Sequence, residues 1–378
     1  MATIKPYETA KGKRYRVRYR KPDGSQTDKR GFTTKKAAEA FAAEVEVDKL
    51  KGQYISPTDA RTTVGELGPG WLARQRGHLK ESAYRPLEVA WRLRVEPRWG
   101  AVQLGDIRPS LVQAWITELG RGKGKVKPVG ATVVIRTHQV FAGILEDAVR
   151  DRLIRSNPAR GMKLPRKPKK RPVYLTHEQV DALARVCDEH SDLVLFLSYT
   201  GVRWGEATGM KVRDLNLLRR RATVDENAVE VGSEIIVGTT KGHKRRTVPL
   251  ADFLIAILAK RCEGKSREDL VFPNEDGTYL QRSHTESGWF DKAVSAAGVP
   301  RVTPHDLRHT AASLAVSAGA NVKALQKMLG HASAAMTLDV YADLFDDDLD
   351  AVGVALSEAR TKSGVGKKWA ETESEGTA

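Results

Sequence analysis

The stretch TPHDLRHT, residues 303–310, sets His305, Arg308 and His309 within five positions. In a helix running from about residue 304 these side chains fall at i, i+3 and i+4, on one face. Three kinds of chemistry suit such a face: a metal site, a phosphate clamp, or a polar helix start. The pair His305 and His309 has the i, i+4 spacing of zinc ligands. The metalloprotease pattern, however, needs Glu where Asp306 stands, and Arg308 would hold a fixed positive charge against the ion. A phosphate clamp fits better, because an imidazole and a guanidinium on one face can donate to the same anion.

Three further stretches carry residues that phosphodiester chemistry needs: YTGVRWGE (199–206), TTKGHKRR (239–246) and LGHASAAMTLDVYADL (329–344). Transesterification of DNA requires a nucleophile, donors for the phosphoryl oxygens and an acid for the departing 5′ oxygen. Taken in order, the four stretches resemble the tyrosine recombinase (phage integrase) family across residues 174–350. The resemblance implies that Tyr341 is the nucleophile and forms a 3′-phosphotyrosyl link, which conserves bond energy for rejoining. Arg203 and Arg308 match the family's paired arginines, and planar guanidinium forks suit bidentate contact with phosphate. Loss of one such donor would cost about 3 kcal/mol of transition-state stabilisation.

His305 matches the first position of the family's H-x-x-R motif and His331 the histidine of its L-G-H motif. Both are implied phosphate donors, and the acceptor of the Tyr341 proton stays open between them, with His305 favoured. Lys241 matches the lysine at the tip of the family's β-hairpin, an ammonium suited to protonating the leaving oxygen. Lys244, Arg245 and Arg246 crowd the same loop. Glu206 follows Arg203 by three residues, so its carboxylate can orient that guanidinium. His309 is expected to hydrogen-bond within its helix and support the site, and stands outside the catalytic set. No cofactor and no metal are called for.

These motifs need elements to hold them. At 378 residues the chain is long for one core, so two or three domains are expected. Lys+Arg number 63 against 47 Asp+Glu, a net charge of +16 that points to a polyanion partner, nucleic acid first. The only two cysteines, Cys187 and Cys262, form no C-x-x-C pair, and the longest apolar run, LVLFLSY, is too short to span a membrane. A cytoplasmic protein is the expectation.

Residues 1–56 read as a separate module. Arg14, Arg16, Arg18 and Arg20 alternate with Tyr15, Val17 and Tyr19, the period-two pattern of a strand with one basic face. A turn at Pro22-Asp23-Gly24, a second strand ending near Phe32 and a helix over KKAAEAFAAEVEVDKL follow. Met1–Lys36 holds 12 basic residues against 3 acids, and the four arginines are candidates for DNA contact. Residues 62–160 are helical in period, with Val133, Val140, Ile144 and Ala148 near one face of VVIRTHQVFAGILEDAVRDRLI. Pro86 is expected in a first helical turn.

Residues 161–173 read as a basic linker: three prolines at 165, 168 and 172 break regular structure, and six of nine residues from Lys163 to Arg171 are basic. Lys167, Lys169, Lys170 and Arg171 are therefore candidate DNA contacts. A mainly helical region with strands between 222 and 250 covers 174–358, opened by a capping-box pair, Thr176 and Gln179. Leu349, Val352 and Leu356 could form an apolar helix face for a neighbouring subunit. The tail, 359–378, is expected to be disordered.

The resemblance thus implies a multidomain α+β protein: a three-stranded sheet with a helix, a helical-bundle core-site domain, and a mainly α catalytic domain with a small sheet. Its implied partners are double-stranded DNA at core-type and arm-type sites and three further copies of the chain on a Holliday junction. A host DNA-bending protein and a directionality factor are left open. The implied task is integration and excision of a phage or mobile element. A dimer-resolving chromosome or plasmid recombinase and a non-catalytic DNA-binding regulator are the alternatives.

Overall fold

Alternation along KGKRYRVRYR makes a strand because Val17 and Tyr19 can be buried on one face while Arg18 and Arg20 stay in solvent. In a computed structural model of the chain this strand, β2 (Gly12–Arg20), is the centre of an antiparallel sheet between β1 (Thr3–Thr9) and β3 (Gln26–Phe32). Helix α1 (Lys35–Leu50), capped by the Thr34 side chain, lays Ala38 and Val45 over Val17 and Tyr19. The structure describes residues 2–363 apart from positions 23, 53, 57, 58, 123, 125, 126, 169–171, 233, 240–244, 283–287 and 345–347.

The chain divides between Lys169 and Lys170 into two units. In the first, the sheet module is followed by α2 (Val64–His78), α3 (Glu81–Ala90), α4 (Glu96–Trp99), α5 (Pro109–Arg121) and α6 (Ala131–Arg150). Their shared core is built on α6, whose Phe141 stacks on Trp99 with ring centroids 4.8 Å apart and meets Trp115 edge-on. Pro86 departs from expectation: it lies mid-way along α3, in no first turn, and the chain passes directly from α3 into a π-helical turn, Trp91–Val95. A proline in a helix removes one ladder donor and its ring crowds the turn before it. Arg155 pairs with Asp48 of α1, so the two parts of this unit also meet through charge.

The second unit begins with the capping box of Thr176 and Gln179 on α7 (His177–Arg185). Next come α8 (Ser191–Thr200), α9 (Trp204–Thr208), β4 (Leu215–Asn216), β5 (Arg221–Val224), β6 (Glu226–Val231), β7 (Glu234–Thr239) and β8 (Arg246–Pro249). β6 and β7 form a hairpin, and β5 lies between β4 and β8 in a separate antiparallel sheet. Helices α10 (Asp252–Arg261), α11 (Trp289–Ala296), α12 (Asp306–Ser317), α13 (Val322–Leu329), α14 (Ala334–Tyr341) and α15 (Asp348–Lys362) complete it. α8 is apolar nearly all round because it is the buried centre, packed against α7, α10 and α12. Among the described residues no helix is long and apolar enough to cross a membrane.

Candidate active site

Two glycines shape the ground on which the site is built. Gly201 ends α8 in the left-handed conformation, φ +64°, and Gly330 ends α13 the same way, φ +68°. Residues without a Cβ take this conformation at no steric cost, which is why both helices stop there. The turns leave carbonyls at both helix C-termini free to accept from a cation. Arg308, on α12, fills that role: its NH1 donates to the Gly201 carbonyl and its NH2 to the Leu329 carbonyl, each at 2.5 Å. The negative ends of two helix dipoles therefore hold one guanidinium.

Arg203 stands two residues after Gly201, at the N-cap of α9, where its backbone N–H donates to Glu206 Oε2 at 2.8 Å and its NH1 to Oε1 at 2.8 Å. The expected orienting role of Glu206 therefore has a geometric counterpart, but the carboxylate is shared. Arg246, the first residue of β8, donates NH1 to Oε1 at 2.9 Å and NH2 to Oε2 at 2.5 Å, and its Nε to the Met328 carbonyl at 3.2 Å. Glu206 is only 2 % exposed. Burial opposes its charge, yet Arg246 and the Arg203 backbone and guanidinium hold its pKa down to about 2.

One carboxylate thus faces three arginines. Burial, reinforced by Arg203, draws the Arg308 pKa down to about 9 despite the opposing pull of Glu206. The excess positive charge is a physical reason for an anion to bind here. His305 stands at the N-cap position of α12, without a side-chain capping bond, and with Arg203, Asn227 and Arg282 lines a cleft of about 320 Å³.

Tyr341, the last residue of α14, is 1 % exposed, and burial pushes its phenol up to about 12. Its Oη lies 2.8 Å from Nδ1 of His309, a hydrogen bond between α14 and α12. This contact takes His309 beyond a hydrogen bond within its own helix and sets it against the tyrosine. The ring of His331 is nearly parallel to that of Tyr341, 8° apart with centroids separated by 6.3 Å, and its Nδ1 is 3.0 Å from the buried Thr337 hydroxyl. Burial, together with Arg308 and Arg203, lowers the His331 pKa to about 4, so the imidazole is neutral at neutral pH.

Arg203, Glu206, His305, Arg308, His331 and Tyr341 therefore gather in one site. Lys241 lies outside the described residues, as do Lys169, Lys170, Arg171 and the tail beyond Ser363; Lys167 is exposed in irregular chain. Arg18 and Arg20 are exposed on β2, and Arg14 and Arg16 are half-buried there. Of the three residues suggested for subunit docking, Leu356 is exposed, and the side chains of Leu349 and Val352 lie outside the described set. From the sequence, Arg246 stood only among the basic residues crowding the Lys241 loop, and His309 was left outside the catalytic set. Alternation along RTVP carried a signal for Arg246, since it places this residue on the same inward face as the buried Val248.

A family model described as "Phage integrase family" matches residues 173–347. The integrase of Mycobacterium phage FRAT1 is 31% identical over 258 residues, covering 65% of this chain and 74% of that protein. Among solved structures, the Tn1549 transposon integrase in complex with circular intermediate DNA aligns with a TM-score of 0.65 and 21% identity, over 78% of this chain and all of that one. A lambda integrase tetramer bound to a Holliday junction aligns with a TM-score of 0.57 and 18% identity, over 87% of this chain and 95% of that one. These structural likenesses agree with the multidomain α+β fold that the motifs imply.

Proposed function

The chain belongs to the phage integrase family, and from that premise we propose that it is an enzyme that cleaves and rejoins DNA through a 3′-phosphotyrosyl intermediate. The observation that carries this reading is the convergence of Tyr341, Arg203, Arg308, His305 and His331 around a buried excess of positive charge. In the reaction we infer, the scissile phosphate enters beside Arg203, Arg308 and the two histidines. Tyr341 Oη attacks phosphorus, the bond to the 5′ oxygen breaks, and Lys241 supplies the proton that this oxygen takes up. Rejoining runs the same steps backward with a 5′ hydroxyl as nucleophile.

Thr337 supports the donor role of His331. If its hydroxyl donates to Nδ1, the proton of the neutral imidazole sits on Nε2, ready for a phosphoryl oxygen. Glu206 acts at one remove, holding Arg203 and Arg246 in place. Residues 1–56 are read as an arm-site module with Arg14, Arg16, Arg18 and Arg20 toward DNA, and 62–160 as a core-site domain. The basic segment 161–173, with Lys167, Lys169, Lys170 and Arg171, would follow the phosphate backbone between them and the catalytic region 174–358.

Integration and excision of a phage or mobile element, by four copies on a Holliday junction in the cytoplasm, is the task this layout favours. Recovery of the protein covalently bound to DNA from cells, followed by sequencing of the attached ends, tests the reading. Discrete cleavage sites at a phage or element junction are expected. Cleavage confined to a chromosome- or plasmid-dimer site, unaffected by deletion of residues 1–56, would instead favour a dimer-resolving recombinase.

A further inference from the structure

Resting on that reading, we infer that His309 takes the proton from Tyr341 as the phenol attacks phosphorus and returns it when the strand is rejoined. The three imidazoles of the site face different things. His331 presents its ring face to the Tyr341 ring, and its Nδ1 meets Thr337. His305 stands edge-on to His309, with ring planes 82° apart, and lines the cleft beside Arg203. His309 is the imidazole whose nitrogen reaches the reacting oxygen, at 2.8 Å. That distance lies within the reach a general base needs.

The chemistry balances within the site. The Oη–H bond breaks and its proton passes to Nδ1 of His309, which accepts in the Nε2-protonated tautomer. The Oη–P bond forms as the P–O5′ bond breaks, and the 5′ oxygen takes its proton from Lys241. Burial keeps the His309 imidazole neutral and so free to accept a proton, with Asp306 pulling the other way and Arg308 adding to the effect. A buried phenol does not ionise unaided at neutral pH. It loses its proton only as the bond to phosphorus forms, when an adjacent base has most effect.

The charged and titratable groups around the pair are Asp306 and Arg308 on α12, His305 just before it, His331 after α13, Arg203 before α9, and Tyr174 ahead of α7. Because His305 and His331 also titrate, the pH profile must be compared between variants. The test uses the full chain on a nicked duplex carrying its mapped cleavage site, with the covalent adduct measured against time. His309→Gln should slow adduct formation by about 100-fold or more. The defect should persist on a 5′-phosphorothiolate substrate, whose thiolate leaves without an acid, and should shrink as pH rises, with DNA affinity unchanged. His309→Ala should regain activity on addition of imidazole.

A wild-type rate and pH profile in His309→Gln would overturn the assignment. So would faster cleavage by His309→Ala, which would make the contact a restraint on the tyrosine. A slow His309→Gln with an unchanged pH profile, together with no imidazole rescue of His309→Ala, would reduce His309 to positioning and also overturn it. If the wild-type chain itself forms no adduct on the mapped site, the recombinase reading fails first and takes this inference with it.

Discussion

Arg246 grips Glu206 with both arms of its guanidinium, at 2.9 and 2.5 Å, and so ties the start of β8 to the helix cap that holds Arg203. The segment carrying Lys241 ends just before this clasp. Because Glu206 is buried, its loss would leave two arginines facing one another without compensation. Glu206→Gln should therefore destabilise the second unit by about 3 kcal/mol or more. The sign with pH follows from its depressed pKa. The stabilisation is complete above the ordinary carboxylate value of 4.5 and is lost as pH falls toward about 2. Denaturant melts of the full chain across that window check both parts. Equal stability of wild type and Glu206→Gln at pH 7 would remove the clasp from the account.

Gly330 meets two demands at once. Its φ of +68° disfavours any side chain, and an added Cβ would lie 2.7 Å from Cδ of the pinned Arg246. Gly330→Ala should cost about 1–2 kcal/mol from backbone strain alone and displace Arg246 or His331 besides. Gly330→Asn tolerates the backbone conformation better but keeps the Cβ. Adduct formation should thus be poor in both variants. Recovery in Gly330→Asn would show that backbone strain alone matters.

Much of this was legible in the four motifs because the residues that touch a phosphate are chemically specialised and sit at fixed places in helix caps and turns. Gly201, Arg203 and Glu206 lie within one turn of chain, so their relation could be read locally. The pairing of His309 with Tyr341 could not, because it depends on how α14 packs against α12, 32 residues apart. Arg246 was hidden for another reason: it stands among Lys241, Lys244 and Arg245, and only the strand register of β8 turns it inward. β1 escaped detail because TIKPYET has little alternation of its own and gains its order by pairing with β2.

His331 gives a second pH signature. Its pKa is lowered to about 4, against an ordinary value near 6.5. Between those values the unfolded chain binds a proton that the folded site refuses, so stability falls as pH drops from 6.5 toward 4. His331→Gln should flatten that part of the profile. Thermal melts of the full chain at intervals across the window would reveal it, and an unchanged slope in the variant would contradict it.

The exposed arginines of β2 offer a test on the first unit. If Arg18 and Arg20 each meet a phosphate, the double substitution to alanine should lower the slope of log affinity against log salt by about 2. Binding of the full chain to duplex DNA carrying its arm-type site, titrated at several salt concentrations, measures that slope. An unaltered slope would make this face a solvated surface only.

The central claim is that Tyr341 becomes joined to DNA. It is tested most directly by trapping the chain on a nicked duplex containing its cleavage site, digesting the adduct and sequencing the peptides by mass spectrometry. A nucleotide bound through phosphate to Tyr341, absent from Tyr341→Phe under equal DNA binding, is the predicted result. Tight, salt-dependent binding with no adduct, or an adduct on another residue, would contradict it.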